Sequence, residues 1–142
     1  MDKKRDLVEV LHEAKVFYIA TVNKEGKPSV RPFGAAVRYD GKVWICTGKW
    51  KNVYKQLMDN SSIEIAATLM GESGPEFLRV VGVAVEEDNQ GAKDAMFTAL
   101  PMLKDLYADK MEQFAVLYLM ATAKIYAMDG VTVKEELMVL EG

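Results

Sequence analysis

Two short turns in the first third of the chain constrain its fold more than any other feature of the sequence. Val16 to Val22 is a run of β-branched and aromatic residues, typical of a strand, and residues 23–27 supply turn chemistry before Pro28. Residues 29–38 predict a returning strand, and the Asp40-Gly41 pair after it tolerates the positive φ of a tight turn. Strands that reverse direction so quickly pair antiparallel, so the sequence predicts a sheet built from hairpins.

The rest of the chain continues this pattern, with short helices between further strands. Apolar runs predict strands over 43–47, 63–69, 77–85 and 114–128, a loop over 71–75, and a β-rich segment at the C-terminal end. The strand over 43–47 is apolar on both faces, which indicates a core on one side and a partner on the other. About six strands in consecutive hairpins close most economically into an antiparallel barrel, because closure removes unpaired strand edges.

Helices are predicted where apolar residues recur at spacings of three and four. This spacing occurs over 6–13, where Asp6 is a plausible cap, and over 51–58 and 90–108. Pro101 should bend or split the last of these helices, because proline lacks a backbone N–H donor and clashes with the preceding turn. We therefore expect a mainly β fold with a few short helices.

Length and charge narrow the possible classes of protein. The chain has 142 residues, which suits one domain with a single core, so we expect residues 1–142 to form one domain. A net charge of −3 argues against a sequence-independent nucleic-acid binder. Residues 1–6 lack the apolar run of a signal peptide, and no stretch approaches the about 18 apolar residues that span a bilayer. We expect a cytoplasmic protein that binds neither nucleic acid nor membranes.

Candidate binding residues concentrate between positions 29 and 57. One strand carries Arg31, Pro32, Phe33 and Gly34, and the junction between the next strand and its helix carries Thr47, Lys49, Trp50, Lys51 and Asn52. Three cations, a hydroxyl, an amide and free N–H groups at a helix start favour a phosphate monoester. Arginine suits this task because its planar fork can bind two phosphate oxygens at once. On composition and spacing alone, a solvated basic loop beside an edge strand remains equally open.

Other reactive side chains do not assemble into a catalytic group. His12 lies on a polar turn of the first helix, which indicates an exposed side chain rather than a metal or haem ligand. Cys46 lies in an apolar strand, where a buried structural thiol is the usual outcome. With one histidine, no Ser-His-Asp, Cys-His or two-metal arrangement can be built, and we expect no metal site.

The order of three segments resembles a known family. The segments FYIATVNKEGKPSVRPFG, DGKVWICTGKWKNVYKQL and FLRVVGVAV, within residues 16–85, are similar to the pyridoxamine 5′-phosphate oxidase-like split barrels that bind flavin mononucleotide (FMN). The similarity is greatest to the short bacterial branch that includes nitroimidazole-resistance-type flavoproteins. The resemblance implies a six-stranded antiparallel split barrel that forms a homodimer, with FMN at the subunit interface.

The same resemblance assigns roles to individual residues. It implies that Arg31 reaches the flavin phosphate and that the backbone of Pro32 and Phe33 runs along the isoalloxazine ring. It also implies that four residues complete the phosphate cradle, namely Thr47, Lys49, Lys51 and Asn52. Trp50 lies inside this cradle and could stack on the flavin, although tryptophans of small barrels more often fill a core or a dimer contact.

Departures from the family pattern limit what activity can be expected. The true oxidase has an arginine-rich C-terminal segment with a tryptophan, whereas this chain ends in Leu137-Met138-Val139-Leu140-Glu141-Gly142. Nitroimidazole-reducing relatives are associated with a histidine near the flavin, and the only histidine here is His12. We expect an FMN-dependent oxidoreductase with a reduced nicotinamide donor and an unknown substrate. The alternatives are a non-catalytic FMN-binding or storage protein, a barrel that binds haem or deazaflavin F420, and a ligand-free partner protein.

Overall fold

The computed structural model describes residues 4–141. Residues 1–3 and Gly142 lie outside the described part, and residues 1–3 belong to the segment in which we expect no signal peptide. The strands are β1 (Phe17–Val22), β2 (Pro28–Phe33), β3 (Val37–Tyr39), β4 (Lys42–Gly48), β5 (Ser62–Gly71), β6 (Gly74–Glu86), β7 (Phe114–Ala127) and β8 (Val133–Glu136). The α-helices are α1 (Leu7–Ala14), α2 (Asn52–Asp59), α3 (Gln90–Ala99) and α4 (Met102–Leu106). A mainly β, antiparallel fold with short helices is thereby confirmed. None of the helices within residues 4–141 is both long and apolar enough to cross a membrane.

The expected number of six strands is wrong, because the sheet has eight. The predicted strand over 29–38 is two strands, since residues 34–36 leave the extended ladder and β2 and β3 pair with different neighbours. The C-terminal segment adds β8, which pairs with β7. The loop expected over 71–75 is also shorter than predicted, because β5 and β6 pair as far as Gly71 and Gly74.

The order of strands explains how the sheet closes. The hydrogen-bonded order is β2-β1-β5-β6-β7-β4-β3, so β2 and β3 lie at opposite edges of the sheet. Only residues 34–36 connect these two edges. Because the end of β2 and the start of β3 are four residues apart, they lie at most about 14 Å from each other, so the edges must approach each other and the sheet must curl into a barrel with a seam. We call residues 34–36 the bridge.

Local sequence signals account for several element boundaries. The Asp6 carboxylate accepts a hydrogen bond from the N–H of Val8 at 2.9 Å and caps α1, as predicted. Asp40 and Gly41 have φ of 51° and 73°, which is the conformation that the predicted tight turn requires. The helix predicted over 90–108 is split into α3 and α4 at Pro101, also as predicted.

Two apolar clusters pack on the two faces of β4. The larger cluster fills the barrel and includes Val43 and Ile45 of β4 together with the apolar face of α1. The smaller cluster lies outside the barrel, under α3, and contains Trp44. The predicted core on one side of β4 is therefore confirmed, but the other face, where the sequence indicated a partner, is covered by α3 of the same chain. The smaller cluster also holds Tyr107, at the end of α4, which positions one wall of the site described next.

Candidate functional site

A cavity of about 220 Å³ lies where β2, β4, α2 and α4 meet. Its wall consists of Arg31, Pro32, Phe33, Gly34, Ala35, Cys46, Thr47, Lys51, Val53, Leu103, Leu106 and Tyr107. Five of the seven residues that the sequence predicted for the flavin lie in this one wall, namely Arg31, Pro32, Phe33, Thr47 and Lys51. The two segments that were singled out in the sequence thus meet in space.

The other two predicted residues lie outside the wall of this cavity. The Nζ atom of Lys49 is 3.9 Å from a carboxylate oxygen of Glu86. Asn52 borders a separate, polar hollow together with Lys24 and Gln56. The structure therefore does not bring Lys49 and Asn52 together with the other five residues at the cavity.

Arg31 reaches inward from β2 and is held by neutral acceptors. Its Nη1 donates to the carbonyl oxygen of Ile19 (3.3 Å), to Thr21 Oγ1 (2.7 Å) and to the carbonyl oxygen of Ser29 (3.2 Å). Its Nη2 donates to Ser29 Oγ (2.9 Å) and to Gln56 Oε1 (3.0 Å). Burial lowers the pKa of Arg31. The guanidinium nevertheless stays charged, because the pKa of arginine begins far above neutrality.

Lys51 stands at the start of α2, where the helix dipole is positive. It occupies the N-cap position, and no side chain there accepts a hydrogen bond from the first turn of the helix. The first turn of α2 also contains no acidic residue. Because the first N–H groups of a helix have no partner within the helix, this end of α2 is suited to an anion.

Thr47 supplies a buried polar atom without a partner. Its side chain is 3% exposed, and its Oγ1 makes no hydrogen bond within residues 4–141. A buried hydroxyl without a partner costs about 1–3 kcal/mol, so such atoms are rare in folded proteins. An acceptor bound in the cavity would satisfy Oγ1, and the charges of Arg31 and Lys51 favour an anionic acceptor. These donors fit a phosphate group.

The opposite wall of the cavity is apolar and includes one phenol. Leu103 and Leu106 of α4 form this wall together with Tyr107. The ring of Tyr107 packs against Phe114, with centroids 4.8 Å apart, and against Trp50, at 5.5 Å. Burial raises the pKa of Tyr107 to about 12, so its hydroxyl is a neutral donor at physiological pH. No local pattern in the sequence indicated Tyr107, because it follows α4 and lies far along the chain from the candidate phosphate-binding residues.

Cys46 differs from its predicted role as a buried structural thiol. It is half-buried, and it lines the cavity beside Thr47. Burial raises the pKa of its thiol to about 12, against a smaller opposing effect of Lys51. The thiol is therefore protonated at neutral pH and is a poor nucleophile.

His12 lies outside the cavity wall. Its side chain is exposed, as predicted, and its Nε2 is 2.7 Å from the carbonyl oxygen of Ala36 in the bridge. The cavity wall contains neither a histidine nor a carboxylate. Within residues 4–141, no three His, Cys, Asp or Glu side chains are grouped so as to hold a metal ion.

Comparison with known families gives one match over most of the chain. A sequence profile described as pyridoxamine 5′-phosphate oxidase matches residues 4–127, which include every wall residue of the cavity. A comparison with curated proteins gives no significant match.

Solved structures show the same fold. A NimC/NimA family protein from Clostridium acetobutylicum is 34% identical, with a TM-score of 0.77, over 92% of this chain and 89% of that protein. The haem storage protein HutZ from Vibrio cholerae is 17% identical, with a TM-score of 0.64, over 87% of this chain and 94% of that protein. A haem-binding protein from Mycobacterium smegmatis is 18% identical, with a TM-score of 0.65; the match covers 80% of this chain but only 49% of that protein. At these lower identities, the two haem proteins are similar in fold alone.

Proposed function

Because this chain belongs to the pyridoxamine 5′-phosphate oxidase-like family of split barrels, we propose that it is a single FMN-binding domain over residues 1–142. The flavin phosphate binds in the cavity at the start of α2, where Arg31, Lys51 and Thr47 converge. The orphaned Thr47 hydroxyl carries this proposal, because a buried donor that lacks a protein partner indicates a missing ligand acceptor.

The division of the cavity wall fits the two chemical halves of FMN. The anion-binding groups lie at the ends of β2 and β4 and at the start of α2. Leu103, Leu106 and Phe33 offer apolar surface for a flat ring, and Tyr107 offers one hydrogen-bond donor. Pro32 and Phe33 bring backbone groups to the same wall. Lys49 and Asn52 are not wall residues, so their side chains would have to reach the phosphate from outside the cavity.

The size of the cavity supports a homodimer. Its volume of about 220 Å³ is below the about 300–1,000 Å³ of typical ligand pockets, so a whole flavin needs further wall. Beside the cavity, the outer face of β1, β2, β5 and β6 exposes apolar side chains, including Tyr18 and Val30. We propose that a second copy of the chain covers this face and completes the flavin site.

The proposed activity is electron transfer in the cytoplasm from a reduced nicotinamide to an unidentified small-molecule acceptor. FMN supplies this redox chemistry when it is bound. The protein's own residues bind and orient the flavin, and the apolar wall excludes water from its ring. The wall offers no carboxylate or histidine, so a proton would have to come from solvent, from the Lys51 ammonium, or from the protonated Cys46 thiol or Tyr107 hydroxyl.

The lack of a carboxylate or histidine in the wall favours a second candidate function, a non-catalytic FMN carrier. Haem binding is a weaker candidate, because the fold shared with the haem proteins carries no ligand information and His12 lies outside the cavity wall. No feature of the cavity favours deazaflavin F420 or a ligand-free partner protein over FMN.

The first test is the absorbance and mass spectrum of freshly purified protein. Flavin absorption bands with the mass of FMN support the proposal, whereas a Soret band indicates haem. Steady consumption of NADH or NADPH with an added electron acceptor then indicates an enzyme. Binding of FMN without turnover indicates a carrier.

The second test is to replace Arg31 and Lys51 separately with alanine. Each replacement removes a charge-assisted contact to the phosphate and should weaken FMN binding by about 1.5–3 kcal/mol, measured by quenching of flavin fluorescence. Lys55→Ala is the matched control, because Lys55 lies on α2 but outside the cavity wall. Unchanged FMN affinity in both variants would overturn the assignment of the phosphate site.

A further inference from the structure

The arginine at the cavity differs from the other three arginines of the chain in its partners. Each of the other three forms an ion pair with a carboxylate. These pairs are Arg5 with Glu135 at 2.9 Å, Arg38 with Asp6 at 2.7 Å, and Arg79 with Glu64 at 3.2 Å. Arg31 has no carboxylate partner within residues 4–141, although the chain contains 21 acidic residues.

The side chains of Arg31, Thr21 and Gln56 form a closed ring of hydrogen bonds, which we call the neutral anchor. Arg31 donates from Nη1 to Thr21 Oγ1 at 2.7 Å and from Nη2 to Gln56 Oε1 at 3.0 Å. Thr21 Oγ1 donates in turn to Gln56 Oε1 at 2.5 Å. The ring ties β1 and β2 to α2, the helix that begins beside the cavity. Gln56 itself is not a wall residue.

Each acceptor in the neutral anchor is uncharged, so the anchor fixes the Arg31 guanidinium without cancelling its positive charge. A carboxylate would fix a guanidinium equally well, but it would also neutralise the positive charge. The pKa values of two arginines reflect this difference. The hydrogen bonds that Arg5 donates to the Glu135 carboxylate raise the pKa of Arg5, whereas burial lowers the pKa of Arg31. Arg31 is therefore fixed in position while its charge remains uncompensated.

We propose that Gln56 is a positioning residue that holds Arg31 at the cavity without neutralising it, and that the neutrality of Gln56 makes the site selective for a doubly negative phosphate ester. This inference rests on the proposed binding of FMN and identifies what sets its preference for the phosphorylated flavin. Since Gln and Glu have nearly the same shape, one substitution separates the position of the side chain from its charge.

The test compares the affinities of FMN and riboflavin, which differ only in the phosphate. In Gln56→Glu the new carboxylate pairs with Arg31, so the ratio of FMN affinity to riboflavin affinity should fall by about tenfold or more. Riboflavin affinity should change less than about twofold, and the melting temperature should stay the same or rise. A merely structural role of Gln56 predicts instead that both affinities fall together with stability. Gln90→Glu is the control, since it makes the same charge change on the exposed face of α3.

A second variant keeps the test decisive if Gln56→Glu fails to fold. Ser29 Oγ accepts from the same Nη2 atom of Arg31 as Gln56 does, and Ser29 lies half-buried in the edge strand β2. Ser29→Asp should therefore lower the FMN-to-riboflavin ratio in the same direction. If the FMN-to-riboflavin affinity ratio is unchanged in folded Gln56→Glu or Ser29→Asp protein, this inference is overturned but the proposed function is not. Failure of the wild-type protein to bind FMN overturns the proposed function and this inference with it.

Discussion

The orphaned hydroxyl of Thr47 shows how a binding site can cost stability in the absence of its ligand. The strand β4 places this side chain at the junction with α2, where burial removes water and no protein group replaces it. Its neighbours in the cavity wall are Cys46, whose thiol is protonated, and Lys51, whose ammonium group cannot accept a hydrogen bond. A buried hydroxyl of this kind is tolerated where a bound ligand supplies the missing hydrogen bond.

Thr47→Val should therefore act in opposite directions on stability and on binding. Valine has the shape of threonine but no hydroxyl, so the ligand-free protein should gain about 1 kcal/mol of unfolding free energy. FMN affinity should fall by about three- to tenfold, because the contact to the phosphate is lost. Chemical denaturation without flavin and fluorescence titration with flavin measure the two effects. A loss of stability in Thr47→Val would show that Oγ1 has a partner in the empty protein.

At the residue scale, the sequence predicted those residues whose own functional groups indicate an anion site. Arg31, Lys51 and Thr47 were identified because cations, a hydroxyl and a helix start point to an anion wherever they cluster. Gln56 and Tyr107 were missed, because their importance comes from partners far along the chain. Gln56 contacts Thr21, 35 residues away, and no local pattern encodes such a pair.

At the scale of elements, one ion pair fastens the helix α1 to the strand β3 and to the C-terminal segment. Arg38 donates to both carboxylate oxygens of Asp6, at 2.9 Å and 2.7 Å, and from Nη1 to the carbonyl oxygen of Val139 at 2.8 Å. Asp6 also caps α1 through the N–H of Val8. Burial alone would raise the pKa of Asp6, but the hydrogen bonds from Arg38 and Val8 outweigh it and lower the pKa.

Asp6 should make the stability of the fold depend on pH in the acid range. Because its pKa is lower in the folded than in the unfolded chain, its contribution is full above the unfolded value of about 3.9 and is lost as the pH falls through the folded value. Asp6→Asn should therefore lower the melting temperature at pH 7, with the difference from wild type shrinking towards pH 2. A difference that stays constant over this range would mean that the carboxylate charge does not matter.

Element boundaries were predictable where a single residue type determines them. Pro101 split its helix, and Asp40-Gly41 formed its turn, because both effects act on the local backbone. The break at residues 34–36 was not predictable in this way. It arises because β2 and β3 pair with strands at opposite edges of the sheet, which is a property of the whole topology.

At the scale of the whole molecule, the outer face of the sheet adjoins the cavity. Val30 of β2 is 66% exposed and Tyr18 of β1 is 51% exposed, and both lie on this face with Val81 of β6. The next residues of β2, Arg31 to Phe33, line the cavity. The proposed second copy, if it covers this face, would therefore also close the mouth of the cavity.

Replacing Val30 and Val81 together with lysine should produce monomers that bind FMN weakly. Lysine charges on this face of both copies would repel each other and would oppose burial of the surrounding apolar surface. Size-exclusion chromatography with light scattering measures the mass, and flavin titration measures the affinity. Val131→Lys is the control, because Val131 is exposed in the turn before β8. Dimers that persist in the double variant would place the subunit interface elsewhere.

The bridge at residues 34–36 links closure of the barrel to the shape of the cavity. Gly34 and Ala35 are wall residues, while Ala36 is held by His12 from α1. The bridge thus joins the two edges of the sheet, and its first two residues also border the cavity. A longer linker at this position would let the seam open and would dismantle the cavity in the same step, so the proposed FMN, once bound there, would also stabilise the closed barrel.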